Sequence, residues 1–146
     1  MSVYKYFTEE NKLQISNAIR VAETNTSGEI RVHIEKHCKT DVLDRAAYIF
    51  DKLEMQKTKL RNGVLFYLAV EDKKFAILGD GGINEKVPEN FWEEIKDEAI
   101  EKFKEGRFAD GLADGIVKAG EQLKAHFPYQ DDDVNELSDE ISFGDK

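Results

Sequence analysis

The chain has 146 residues, a formal net charge of −9, 40% hydrophobic residues and 35% charged residues. That length builds one domain with a modest core and leaves too little for two. The acidic balance, with no run of Lys and Arg, excludes nucleic acid as a partner, because a phosphate backbone needs a basic patch.

The opening stretch MSVYKYFTEENKL holds no apolar secretory region, and the longest apolar run, VLFYLAV, is too short to span a bilayer. A cytoplasmic location without direct membrane insertion is therefore expected. Cys38 is the only cysteine, which rules out an intrachain disulfide and fits a reduced compartment.

Thr8 caps a first helix, with Glu9 and Glu10 at its positive end and an apolar stripe of Leu13, Ile15, Ala18, Ile19 and Ala22. After the break TNTSG, EIRVHIEKH alternates strictly. Ile30, Val32 and Ile34 face a core, while Glu29, Arg31, His33 and Glu35 are expected to face out. TDVLDRAAYIFDKLEM returns to helical period, with Leu43, Ala46, Ala47, Phe50 and Leu53 on one side. RNGVLFYLAV is apolar on both faces and predicts a central strand. The polar turn EDKK and the strand FAIL fold back on it as an antiparallel hairpin. The loop GDGG follows. Pro88 then opens a third helix at its first position, with Trp92, Ile95, Ala99 and Phe103 as the buried ridge and Gly106 as terminator. A fourth helix, FADGLADGIVKAGEQLKAHF, buries Phe108, Leu112, Ile116, Ala119, Leu123 and Phe127, and Pro128 stops it.

Residues 1–129 read as a single domain and 130–146 as an acidic tail. The tail carries seven acidic residues against one lysine, a composition that predicts disorder, yet ISF within it offers an edge strand. The order α-β-α-β-β-α-α contains one strand–helix–strand crossover, hence a parallel pair. The fold class is a three-layer α/β/α sandwich on a small mixed central sheet, three strands plus a potential fourth from the tail. A monomer is expected.

Tracing the strands up and down sorts the acids into two groups. Asp41, Asp44, Asp110 and Asp114 fall at one end of the sheet. Asp110 and Asp114 share a helix face at i, i+4, where a cation would relieve their repulsion. Equally, carboxylates early in helices complement the dipole, and Gly111 and Gly115 let helices pack closely. At the other end fall Asp80, Asn84, Glu85, Asp131, Asp132, Asp133 and Glu136, beside Arg61 and Asn62. Calcium and magnesium are hard cations that take oxygen ligands, and calcium takes six to eight of them. GDGGINE and DDDVNE together offer enough carboxylates and amides. The alternative is a plain glycine turn near a solvated acidic segment. A phosphate cradle is the weakest reading, because Asp80 would repel the anion and no Gly-Lys-Ser/Thr follows.

Nucleophilic phosphatase chemistry finds little purchase. Six residues separate Cys38 from Arg45, one more than a cysteine-phosphatase loop has, and Cys38 reads as a small buried hydrophobe. His33 and His37, near Glu29 and Glu35, read as exposed cross-strand partners rather than zinc ligands.

SGEIRVHI after a first helix, RAAYIFDKL, RNGVLFYLAVEDKKFAILGDGGI and FKEGRFADGLADGIVKAGEQL, in this order, make the chain resemble a TPM domain from about Thr8 to Phe127. The resemblance implies an α/β/α sandwich, divalent-metal binding as in some members, a link to phosphatase activity and an association with membrane protein complexes. Many members carry a signal peptide and a membrane anchor, and this chain resembles a stand-alone version.

Two functions follow as expectations. In the first, calcium or magnesium, held by Asp80, Asn84, Glu85, Asp131, Asp132, Asp133 and Glu136, orders a binding or modulating module with a protein partner. In the second, the chain is a metal-dependent phosphatase with either Asp44, Asp110 and Asp114 or the Asp80 loop holding the ion, and Arg61 and Asn62 holding the phosphoester.

Overall fold

The computed structural model describes residues 7–24, 26–58, 60–88, 90–128 and 141–144. Its elements are α1 (Glu9–Glu23), β1 (Glu29–Glu35), α2 (Val42–Lys52), β2 (Gly63–Ala69), β3 (Lys74–Gly79), a single-turn helix α3 (Gly81–Asn84), α4 (Glu93–Lys104), α5 (Phe108–His126) and β4 (Ser142–Phe143). The sheet order is β3-β2-β1-β4. β1 is parallel to β2 and to β4, and β2 is antiparallel to β3, so the sheet is mixed and open. The α/β/α architecture and the parallel crossover are as the sequence predicts.

Strand alternation divides the core in two. Ile30, Val32, Ile34, Val64, Phe66 and Leu68 point to the layer built by α1, α4 and α5. Leu65, Tyr67 and Ala69 point to the layer built by α2, where Ala46, Ile49, Phe50 and Met55 meet them. Every residue of β2 is buried, because both neighbours and both layers cover it. Full burial of each such Leu, Ile or Phe side chain is worth about 1.5–3 kcal/mol.

The sequence expectation fails for the second face of β1. Glu29, His33 and Glu35 are buried rather than exposed. The crossover puts α2 on that side of the sheet, chiefly over β2 and β3, and at the end of β1 Arg45 from α2 closes on Glu35 while Ser142 from β4 closes on His33. The helix stripes also shift. Leu13 and Leu43 are exposed, and α2 buries Ala46, Ile49 and Phe50. Helix α4 starts at Glu93, five residues after Pro88, because Gly81–Asn84 forms its own turn and Trp92 stands at the N-cap.

Three glycines of α5 are packing devices. A Cβ on Gly111 would lie 2.7 Å from Phe103, one on Gly115 3.3 Å from Phe66, and one on Gly120 2.6 Å from the Cβ of Ala22. They let α5 approach α4, the sheet and α1 closely. Gly106 closes α4 at φ +80°, a left-handed conformation that glycine adopts without strain. No described helix is long and apolar enough to cross a membrane.

Candidate functional site

Two ends of the sheet carry polar side chains that are held in place. At the first, β3 runs into the loop that GDGG encodes. Asp80 is buried, with its backbone N–H donated to Gly63 O. Its Oδ1 caps α3 by accepting from Gly81 N at 2.7 Å. Arg61 approaches as a fork, with Nε to Oδ2 and Nη2 to Oδ1, both 2.8 Å. This charge-assisted pair raises the Arg61 pKa. Arg61 itself sits at φ 52°, and its carbonyl accepts from Gly82 N. A Cβ on Gly82 would overlap the carbonyl oxygens of Leu60 and Arg61, so glycine is required there.

Around this pair, Asn84 donates its amide to Gly79 O, and Glu85 is exposed beyond the turn. Asn62 is buried and donates its amide to Ser27 O, while its Oδ1 has no partner among the described residues. The expected neighbours Arg61, Asn62, Asp80, Asn84 and Glu85 are thus gathered at one end. Asp131, Asp132, Asp133 and Glu136 lie outside the described residues.

The other expected group is not gathered. Asp44 lies exposed in the first turn of α2, and Asp110 and Asp114 lie on α5, in the opposite layer of the sandwich. Asp110 accepts from Gln14 at 2.8 Å and from Arg107 at 3.1 Å, and these donors hold its pKa below the usual carboxylate value. Asp114 pairs with Lys102. Among the described residues, no group of three or more His, Cys, Asp or Glu stands where it could hold a metal ion.

A second polar site, at the far end of β1, went unread in the sequence. Burial alone would raise the pKa of Glu35, yet hydrogen bonds from Arg45, His33 and Tyr67 outweigh it and hold the carboxyl well below its usual range. Arg45 Nε and Nη2 reach the two oxygens at 2.8 and 2.9 Å. Tyr67 donates its hydroxyl to Oε2, and burial together with that anion pushes the phenol pKa up. His33 stacks on Tyr67, with Nε2 3.3 Å from Glu35 Oε1 and Nδ1 2.9 Å from Ser142 Oγ. With Nε2–H donated to the carboxylate, Nδ1 accepts the Ser142 hydroxyl proton. The signal that would have found this site is the crossover: it starts α2 beside the end of β1, where a buried Glu35 needs a cation, and Arg45 stands one turn into α2.

The family model described as TPM domain matches residues 3–122. The solution structure of BA42 protein from the psychrophilic bacterium Bizionia argentinensis is 51% identical and superposes with a TM-score of 0.91, covering 97% of this chain and 98% of that one. The N-terminal domain of cg2496 protein from Corynebacterium glutamicum shares the fold at 11% identity and TM-score 0.66, over 99% of this chain and 84% of that one. The N-terminal domain of a protein from P. gingivalis does so at 17% identity and TM-score 0.69, over 86% and 81%. No curated protein matches the chain. With most of its length matched by one family and its fold shared with these small domains, the chain belongs to the TPM domain family.

Proposed function

We propose that this domain is a binding module that responds to a divalent cation, calcium or magnesium, held between the Asp80 loop and residues 131–136. The observation that carries this reading is where α5 ends. Lys86, just past the loop, places Nζ 4.8 Å from the centre of the Phe127 ring, and Pro128 bridges to Thr26, three residues before β1. The chain therefore enters the acidic segment at the end of the sheet where Asp80 lies.

The loop by itself does not fit a hard cation. Arg61 and Gly81 already occupy the Asp80 oxygens, which leaves the Asn84 carbonyl and the Glu85 carboxylate as ready donors. Asp131, Asp132, Asp133 and Glu136 would supply the remaining oxygens, and the ion would supply cross-linking and charge neutralisation. The output is a change in the surface offered to a protein partner. The hydrolytic alternative draws less support, because Asp44 is across the sheet from Asp110 and Asp114, and the Arg61 fork is taken by Asp80.

Residue-resolved NMR titration with calcium and with magnesium tests the proposal. Saturable shifts confined to 79–85 and 131–136, and abolished by deleting 130–146, are expected. No saturation at millimolar ion, or shifts spread evenly over the acidic surface, overturns it.

A further inference from the structure

We infer that the cleft between α2, the C-terminal end of β1 and β4 is a binding site for a compact oxyanion of two or more charges. The cleft has a volume of about 340 Å³, at the small end of the range for ligand sites. Among the described residues its lining includes Lys36, Lys39, Arg45 and Lys52, with Glu35 as the only carboxylate, in a chain of net charge −9. That local excess of four cations over one anion runs against the charge of the molecule, and a recessed site of one sign concentrates counter-ions.

The cations are not equally engaged. Glu35 is committed to Arg45 and Tyr67, so it neutralises Arg45 and faces inward. Lys36 has a loose contact with Glu71, at 3.9 Å. No described carboxylate pairs with Lys39 or Lys52. A second cleft, between α4 and α5, makes the contrast: there Lys102 pairs with Asp114 and Lys118 with Glu98, and the charges cancel within the protein.

Topology points to the same place. In open α/β sheets, ligands sit outside the carboxyl ends of the parallel strands. The cleft lies at the carboxyl ends of the parallel neighbours β1 and β4, on the side of β1 away from β2. Its floor is closely packed where β4 is docked: His33 hydrogen-bonds Ser142 and Glu35, and Gly144 lies so close that a Cβ there would be 2.5 Å from the Cβ of Glu35. A packed floor beneath several ammonium groups suits a carboxylate-rich or phosphate-bearing small molecule, the shared chemistry being clustered anionic oxygens.

The test is an NMR titration of the full chain in chelator, free of divalent metal, at constant ionic strength, with citrate in one arm and inorganic pyrophosphate in the other. Saturable shifts at 33–39, 45–53 and 141–144 are expected in at least one arm, and the arm that saturates identifies the source of the oxygens. The double variant Lys39→Gln, Lys52→Gln should weaken binding at least tenfold, while Lys96→Gln, Lys124→Gln should leave it unchanged. Absence of saturation in both arms, or equal weakening by the two double variants, overturns the site. Because metal is excluded, neither result depends on the Asp80 loop.

Discussion

Glu35 and Arg45 meet in a two-pronged ion pair, at 2.8 and 2.9 Å, that ties the last residue of β1 to α2. The pair fixes the crossover over the sheet, and its pH dependence has a definite sign. The folded-state pKa of Glu35 is depressed relative to about 4.3 for an unfolded glutamate. Stability from the pair is therefore fully present above that value and is lost as pH falls below it. Asp72 has the same direction, from His37 and the Cys38 N–H, as does Asp110. Glu35→Gln should shrink the acid limb of a stability–pH curve without abolishing it. At pH 7 it should cost at most the roughly 3–5 kcal/mol of a broken buried pair, since Arg45 is one-third exposed. Urea denaturation of both proteins from pH 3 to 7 checks this, and superimposable curves would refute it.

The α1–α5 contact offers a test of packing alone. Gly120 faces Ala22 with no room for a methyl group. Gly120→Ala gains helix propensity yet forces the two helices apart, for a net cost of roughly 1–3 kcal/mol by overpacking. A denaturation midpoint equal to or above that of the parent chain would show that the interface yields freely.

Gly82→Ala probes the coupling between the Asp80 loop and Arg61. Because the added methyl overlaps main-chain oxygen rather than a movable side chain, the turn must shift. The expected outcome is displaced amides at 60–62 and 79–85, a lower melting temperature and weaker calcium binding. Unmoved amides in those segments would contradict the steric argument.

The elements that position these sites were legible to different degrees. Apolarity on both faces of VLFYLAV identified β2 as central, and the crossover identified β1 as its parallel partner. The neighbouring strand hid the second site: EIRVHIEKH alternates in chemistry, but its polar face is closed by Arg45 from α2 and Ser142 from β4, so His33 and Glu35 look solvent-facing until those long-range partners are known. The Asp80 end was legible because a strand, a glycine turn and the following residues are local in sequence. The Arg61 fork was not, because it spans 19 positions and depends on the left-handed conformation of Arg61. Ile141 and Phe143 were legible as an edge strand from alternation alone, and both pack against the main core, Ile141 just before β4 and Phe143 within it.

That strand yields the final prediction. β4 pairs with β1 at two positions only, His33 with Ser142 and Ile34 with Phe143, and Gly144 N–H donates to Ile34 O at 2.7 Å. Holding a residue costs roughly 1–2 kcal/mol of backbone entropy, and partial burial of Ile141 and Phe143 offsets only a few such residues. The strand is therefore poised near balance. An ion bound by residues 131–136 would tether the chain a few residues before β4 and lower the entropy lost on docking. Hydrogen exchange at Gly144 should then slow when calcium is added, while Val70, whose N–H is donated to Glu35 O inside the sheet, stays unchanged. Equal exchange at Gly144 with and without calcium would separate the strand from the ion and confine any metal response to the Asp80 end.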